Sequence, residues 1–451
     1  MKYTELTYSK YNIMTQIPIQ KEVIDRIASQ NKIANPGKAS IREMRKMIQD
    51  VENETGIRFV KMEMGIPGLP APQVGVQAQI EALKSGVASI YPEIYGTADF
   101  KKEAARFVKN FLDIDVTPDC CVPTVGSMQA GFASFLTLTR YDAKKTKVLF
   151  IDPGFPVQKQ QCRVLGIPMK TFDVYEYRGD KLREKLEEEL KDGDVACLIY
   201  SSPNNPAWFC FTEYELKIIG EMANKYGVVV LEDDAYFLMD FRKDYSVPGK
   251  APFQPTVAKY TDNYVLMISG SKSFSYAGER IAMMICSPKL FNMECPDLAR
   301  FYSQTQLGRA LIFGTLYCLS SGTAHSVQYA MAAMLKGAND GTFNFVKDIK
   351  EYGEKAKIMK KMFTDNGFYI VYDKDMGEDV GDGFYFTFCY PDMGGIELLN
   401  ELIRYGISAI SLDITGSHKQ GIRACVALVL RDQFPDLKER LEKFHADHPI
   451  K

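Results

Sequence analysis

Five short runs of the chain are continuously apolar but for charged residues at some of their ends: KVLFID (147–152), VACLIY (195–200), GVVVLED (227–233), YVLMIS (264–269) and RIAMMIC (280–286). Amphipathic stretches such as KLREKLEEELKDG and TEYELKIIGEMANKYG lie between several of them. Strands that are apolar on both faces and alternate with helices predict an α/β fold, a mostly parallel sheet covered by helices on both faces. Ligands of such sheets gather at the carboxyl ends of the strands. Upstream, SIREMRKMIQDVENETG (40–56) places Ile41, Met44, Met47, Ile48 and Val51 along one side, which predicts a helix. MGIPGLPAP (64–72) then breaks regular structure with two glycines and three prolines. Beyond about residue 320, helical patterns (SVQYAMAAMLKG, IKEYGEKAKIMKKMFTDNG) give way to FYIVYD, GFYFTFCY and IRACVALVL, which read as strands of a smaller α+β unit. The expected division is an N-terminal helical segment (1–64) belonging to the small domain, a large α/β domain (65–320) and a C-terminal small α+β domain (321–451).

Composition narrows the class without naming a partner. At 451 residues, 46% hydrophobic and 25% charged, the chain is long enough for more than one domain and too apolar to be disordered. Its 55 Lys+Arg balance 57 Asp+Glu, so there is no basic excess for nucleic acid. The start, MKYTELTYSKYNIMTQIPIQKEV, lacks the apolar core of a signal peptide. The charge-free stretch from Ala310 to Leu335 carries Gly314, Ser320, Ser321, Gly322, Thr323, His325, Ser326 and Gln328, too many polar groups for a membrane span. It is expected to be buried loop and helix in a cytoplasmic protein. Ten cysteines without a CxxC pair and four histidines without HxxxH or HExxH spacing predict no metal site and a reducing compartment.

The chemistry lies where polar residues follow the strands. YVLMIS runs into Gly270-Ser271-Lys272-Ser273, a tight loop in which burial would lower the lysine pKa as an amine nucleophile requires; the alternative is a solvated surface lysine. GVVVLED continues as Asp234-Ala235-Tyr236, placing a phenol three residues after Asp233. With Glu232, Asp233 and Asp234 in a row at a strand mouth, at least one is expected to be a solvated turn residue. Asn204-Asn205-Pro206 is a turn signal after VACLIYSSP. Thr124-Val125-Gly126-Ser127-Met128-Gln129-Ala130 precedes the apolar helical run AGFASFLTL, so a helix N-terminus with free N–H groups for a phosphate is expected there.

In this order the residues resemble the class I/II aminotransferase family, pyridoxal-phosphate enzymes of fold type I. The matching set is Tyr91 with Gly96, Gly126-Ser127, Asp152-Pro153-Gly154-Phe155, Asn205-Pro206, Asp233 with Tyr236, Ser269-x-Ser271-Lys272, Arg280 and Arg423. SGSKSFSYAGER, with an arginine eight residues after Lys272, is its most specific segment. The resemblance implies that Lys272 forms a Schiff base with pyridoxal phosphate and then moves the substrate proton. It implies that Asp233 pairs with the ring nitrogen, that Asn205 and Tyr236 hydrogen-bond the ring oxygen, and that Phe155 stacks on the ring. The phosphate would take the N–H groups at Gly126, Ser127 and Met128, with Ser269 and Arg280 closing the cup. Arg423 would bind the substrate carboxylate, with Gly65 and Asn205 nearby. Tyr91 resembles the tyrosine that reaches the phosphate across a subunit boundary, which implies a homodimer with shared active sites.

The family pattern is not followed throughout. Where the family commonly has Asn-Pro-Thr-Gly, this chain has Asn205-Pro206-Ala207-Trp208, its sole tryptophan. Arg280 is followed by Ile281-Ala282, and residues 301–330 fit the pattern poorly. Arg300 and Arg309 are candidates by location alone for a second, side-chain-binding arginine. The implied reaction is transfer of an amino group from an amino acid to a 2-oxo acid. A β-lyase (C–S lyase) of the same fold would use the same Lys272, Asp233 and Arg423. A non-catalytic regulator is disfavoured by the absence of a helix-turn-helix or basic face, and a dehydrogenase or P-loop enzyme by the absence of GxGxxG and GxxxxGK.

Overall fold

A computed structural model describes residues 17–450. Most of the N-terminal stretch read above as lacking a signal peptide falls on residues 1–16, outside the described residues. The first strand, β1 (Val60–Lys61), follows the expected helix, Ile41–Thr55, whose Met44, Met47, Ile48 and Val51 are fully buried. Ser40 and Glu43 cap that helix reciprocally and Gly56 ends it in the left-handed conformation. The Gly/Pro segment that follows carries no helix or strand from Met62 to Pro72.

Seven strands then build the large sheet: β2 (Cys121–Thr124), β3 (Lys147–Asp152), β4 (Met169–Asp173), β5 (Val195–Ser201), β6 (Val229–Asp234), β7 (Tyr264–Ser269) and β8 (Ala282–Cys286). Their spatial order is β2-β8-β7-β6-β5-β3-β4. β4, β3, β5, β6 and β7 are parallel, and β8 is antiparallel to both β7 and β2. Alternate residues of each strand enter two separate cores. Leu149, Leu198, Val230 and Leu266 face one, and Val148, Cys197, Leu231 and Val265 the other. Burial on both faces is why these strands read as continuous apolar runs.

The expected runs at 147–152 and 264–269 match their strands to the residue, whereas two others begin later. In GVVVLED, Gly227 is the left-handed cap of the preceding helix, and in RIAMMIC, Arg280 is itself left-handed, so each strand starts beyond that residue. β2 and β4 have no counterpart in the sequence reading. Both are edge strands, one containing Pro123 and the other carrying half-exposed residues at its start.

The smaller unit holds β9 (Tyr369–Ile370), the hairpin β10 (Lys374–Asp375) and β11 (Glu378–Asp379), then β12 (Tyr385–Cys389), β13 (Ile407–Ser408), β14 (Ile410–Ser411) and β15 (Ile422–Cys425). β14-β15-β12-β9 form an antiparallel sheet, while β13 pairs in parallel with β1 and so joins the two ends of the chain. FYIVYD yields only the two-residue β9. IRACVALVL is a strand only to Cys425, because the backbone then turns. The Ala310–Leu335 stretch is mostly helical, but it is not buried throughout: Phe313, Tyr317 and Leu319 face outward. Among the described residues no helix is long and apolar enough to cross a membrane.

Candidate active site

The carboxyl ends of β3, β5, β6 and β7 open toward β12 and β15 of the smaller sheet, and the chemical residues converge there. Lys272 sits in the turn directly after β7, part-buried, its Nζ 5.8 Å from the Phe384 ring centroid. Burial pulls its amine from the usual 10.5 down to about 8. Arg280 and Arg423 push the same way, and Cys425 and Asp233 oppose them. At pH 7 about a tenth of the amine is therefore free base, against well under a thousandth at the usual value.

Asp233, near the end of β6, is buried and accepts a hydrogen bond on Oδ2 from Gln158 Nε2 at 2.7 Å; its other oxygen is buried with no partner among the described residues. Burial raises its pKa to about 6, against the hydrogen bonds from Gln158 and the Ala235 N–H and the charge of Lys272. None of the three consecutive acids is a solvated turn residue, contrary to expectation. β6 extends through all of them, and Glu232 and Asp234 point into the opposite face. There Glu232 accepts from Tyr200, Thr256 and the Val257 N–H, and Asp234 from Gln254.

Helix Gly126–Leu138 starts at the same rim, with Val125 at its cap position and no side chain capping it. The N–H groups at Gly126, Ser127 and Met128 are thus left for another acceptor. A Cβ at Gly126, which is left-handed, would lie 2.5 Å from Arg280 Nη2, so the guanidinium closes directly on this helix end. Arg280 is also anchored to Ser271 Oγ at 3.3 Å and to the Ala277 carbonyl at 2.8 Å. Ser269 Oγ accepts the Ser271 N–H at 3.1 Å. Ser271, named in the lysine motif but given no role of its own there, thus joins Ser269 and Arg280 in the cup.

Phe155 is half-buried at the start of the helix after β3, in a loop tied to the β5 end by Asn204 Nδ2 donating to the Pro153 carbonyl at 2.9 Å. Asn205 is buried and accepts from Arg423 Nη1 at 3.2 Å. Arg423, on β15, is 1% exposed; its Nη2 donates to the Glu63 carbonyl, its Nε has no partner among the described residues, and the guanidinium lies 4.4 Å from the Tyr385 ring centroid. A buried guanidinium bonded only to neutral groups is poorly compensated, and a carboxylate would supply the missing charge. Gly65 lies against Tyr385: a Cβ there would fall 2.0 Å from the phenol oxygen. Tyr236 donates to that same Tyr385 hydroxyl at 3.0 Å.

Gln158, Tyr385 and Phe384 were missed because their contacts join segments far apart in sequence. Three other candidates lie elsewhere. Arg300 and Arg309 are exposed and bonded to local groups, the Asp297 and Arg140 carbonyls and the Gln304 amide respectively. Tyr91 is 88% exposed, and the structure brings it to none of these residues.

A model of the aminotransferase class I and II family matches residues 58–377. The chain belongs to this family. Members of it use pyridoxal phosphate. As a class I/II aminotransferase it is 23% identical over 344 residues to a Methanocaldococcus jannaschii protein described as "Probable aspartate aminotransferase", covering 74% of this chain and 83% of that one. It is 25% identical over 176 residues to the S-alkyl-thiohydroximate lyase SUR1 of Arabidopsis thaliana, covering 39% and 36%. In fold it resembles the alanine aminotransferase of Pyrococcus furiosus, with TM-score 0.74 and 18% identity over 93% of this chain and all of the other.

Proposed function

We propose that this aminotransferase binds pyridoxal phosphate between the large sheet and β15 and moves an amino group from an amino acid to a 2-oxo acid. The observation that carries the reading is Lys272: an amine held after β7, its pKa lowered to about 8, near a buried Asp233 oxygen that no described residue satisfies. The uncapped helix end with Arg280, and the poorly compensated Arg423, fit the anionic ends of cofactor and substrate.

When bound, the cofactor supplies an aldehyde for amines and a ring that draws electron density from the substrate α-carbon. Lys272 holds it and, once its amine is released, takes and returns the proton at that carbon. Asp233 keeps the ring nitrogen protonated, which its carboxylate does above about pH 6. Gly126, Ser127 and Met128 N–H groups, Ser269 and Arg280 grip the phosphate, and Phe155 covers the ring face. Tyr236 and Asn205 hydrogen-bond the ring oxygen. Arg423 fixes the substrate carboxylate in a bidentate pair and thereby orients the α-carbon toward Lys272. Tyr91, with Ile90 59% exposed beside it, is read as reaching the phosphate of a second copy in a homodimer.

A carbon–sulfur lyase outcome is the second reading, favoured by the similarity to the Arabidopsis lyase. The purified protein is expected to show a visible absorbance band that responds to pH and disappears in Lys272→Ala. Donor-dependent amine transfer to 2-oxoglutarate or pyruvate supports the transaminase. A band unchanged in Lys272→Ala would sink the site. Pyruvate and ammonia from a cysteine conjugate, without amine transfer, would replace transamination by lyase chemistry.

A further inference from the structure

The residue that joins the two halves of this site is Tyr385, which no part of the reading above employs. It is 2% exposed on β12 and makes three contacts at once. Its hydroxyl accepts the Tyr236 proton at 3.0 Å, its ring lies 4.4 Å from the Arg423 guanidinium, and its oxygen abuts the Gly65 backbone. Burial pushes its phenol up to about 12 and that of Tyr236 well above its ordinary value, so both hydroxyls keep their protons throughout the physiological range.

Trp208 is the wall behind this pair. Its indole packs edge-on to Tyr236 at 5.3 Å and to Tyr385 at 6.1 Å, and the two phenols meet each other edge-on at 5.4 Å. Trp208 holds a left-handed backbone at φ +65°, the conformation that glycine adopts freely and a bulky residue adopts at a cost. Opposite it stands Gly383, where a Cβ would come within 2.1 Å of the indole. The indole is thus accommodated on both sides, and the phenols it packs against have little room to turn.

We propose that Tyr385 is a positioning residue of the reaction: it shares the Tyr236 proton and, through the same ring, supports Arg423, so that the hydrogen bond at the cofactor's ring oxygen and the grip on the substrate carboxylate are set together. The inference rests on the reading of Tyr236 as a donor to that oxygen. In the structure Tyr236 gives its proton to Tyr385, so the ring oxygen must compete for it. Donation to the ring oxygen favours the less protonated form of the bound cofactor. Taking the Tyr385 hydroxyl away therefore frees Tyr236 and moves the spectral midpoint to lower pH.

The test is a pH titration of the visible band in the cofactor-loaded protein and in Tyr385→Phe, Tyr236→Phe and the double variant. Tyr385→Phe keeps the ring under Arg423 and is expected to lower the midpoint by about 0.5–1 pH unit, the size of one neutral hydrogen bond. Tyr236→Phe raises it. In the Tyr236→Phe background the Tyr385→Phe effect vanishes, and the KM for the amino donor stays within about twofold because the ring is retained. Emission from Trp208, the sole tryptophan, recorded without cofactor, verifies that each variant keeps the aromatic packing. A midpoint that Tyr385→Phe leaves unmoved, or moves equally with and without Tyr236, overturns the proposal. Failure of the underlying site assignment is recognised separately, as a band in the unsubstituted protein that does not depend on Lys272.

Discussion

Three acids follow one another on β6, and the two faces of the strand treat them differently. On the site face, Asp233 has one side-chain donor, Gln158, and one oxygen with no partner. On the far face, Glu232 gathers three donors onto one oxygen, from Tyr200, Thr256 and the Val257 N–H, among the side chains of the large core. Burial raises the pKa of all three. The contrast is in what remains unsatisfied and where it points. A residue held for chemistry keeps a valence facing the space where a ligand arrives, whereas a residue held for structure spends its valences on the fold. Strand alternation alone, period two, sends neighbours to these opposite fates.

The sharpest way to break the comparison is Asp233→Ala. Removing the carboxylate from the site face is expected to lower kcat/KM by about 100- to 1,000-fold, the scale of losing one preorganised electrostatic partner. Thermal unfolding of the cofactor-free protein should be unchanged or improved, because a poorly satisfied buried carboxyl is gone. The same residue predicts a pH dependence. Only the carboxylate pairs with a protonated ring nitrogen, so cofactor affinity should fall as pH drops through about 6, measured by equilibrium dialysis. An alanine variant that transaminates normally would place Asp233 with its far-face neighbours.

Gln158→Leu sharpens the contrast with a smaller effect. It strips Asp233 of its only side-chain donor, so the carboxylate becomes harder to form and the pH at which cofactor affinity fails should rise above about 6. A loss of about tenfold in kcat/KM is expected at neutral pH, from one charge-assisted hydrogen bond. An unshifted affinity profile would show that the backbone N–H of Ala235 suffices.

The ease of reading the two faces differed for the same reason. Lys272, Asp233, Asn205 and the helix start at Gly126 were legible because each sits within five residues of one end of an apolar run, a local pattern. The interior strands were legible too, since burial on both faces leaves a run of apolar residues. β2 and β4 were not, because an edge strand tolerates Pro123 and polar positions along its open side. Gln158 and Tyr385 escaped because nothing in their neighbourhoods distinguishes them. Gln158 meets Asp233 across 75 positions and Tyr385 meets Tyr236 across 149. The reading of Glu232 and Asp234 failed at a different point: acids beside a turn were expected to be solvated, and the strand continued through them. Trp208 was legible as a departure, but what it packs against required Gly383 and β12 to be in place.

The far face supplies the mildest prediction and the cleanest separation of chemistry from structure. In Glu232→Gln, the amide oxygen can take over the three hydrogen bonds now made to Oε2, and an uncharged NH2 replaces the unpartnered oxygen. Activity should stay within about twofold, since no atom of Glu232 faces Lys272. Stability should respond instead. A carboxyl whose folded pKa is raised holds its proton longer in the folded state than in the unfolded chain. The wild-type protein therefore loses stability as pH rises from the ordinary glutamate range near 4.5 upward. Glutamine does not titrate, so thermal unfolding of the variant should be flatter with pH and more favourable at pH 8 by on the order of 1 kcal/mol. At acid pH, where the wild-type carboxyl is neutral as well, the two curves should converge. A variant destabilised at pH 8, where the wild-type carboxyl is ionised, but not at acid pH would mean that the Glu232 charge, and not merely its hydrogen-bonding shape, is built into the core. That outcome would erase the distinction between the two faces of β6.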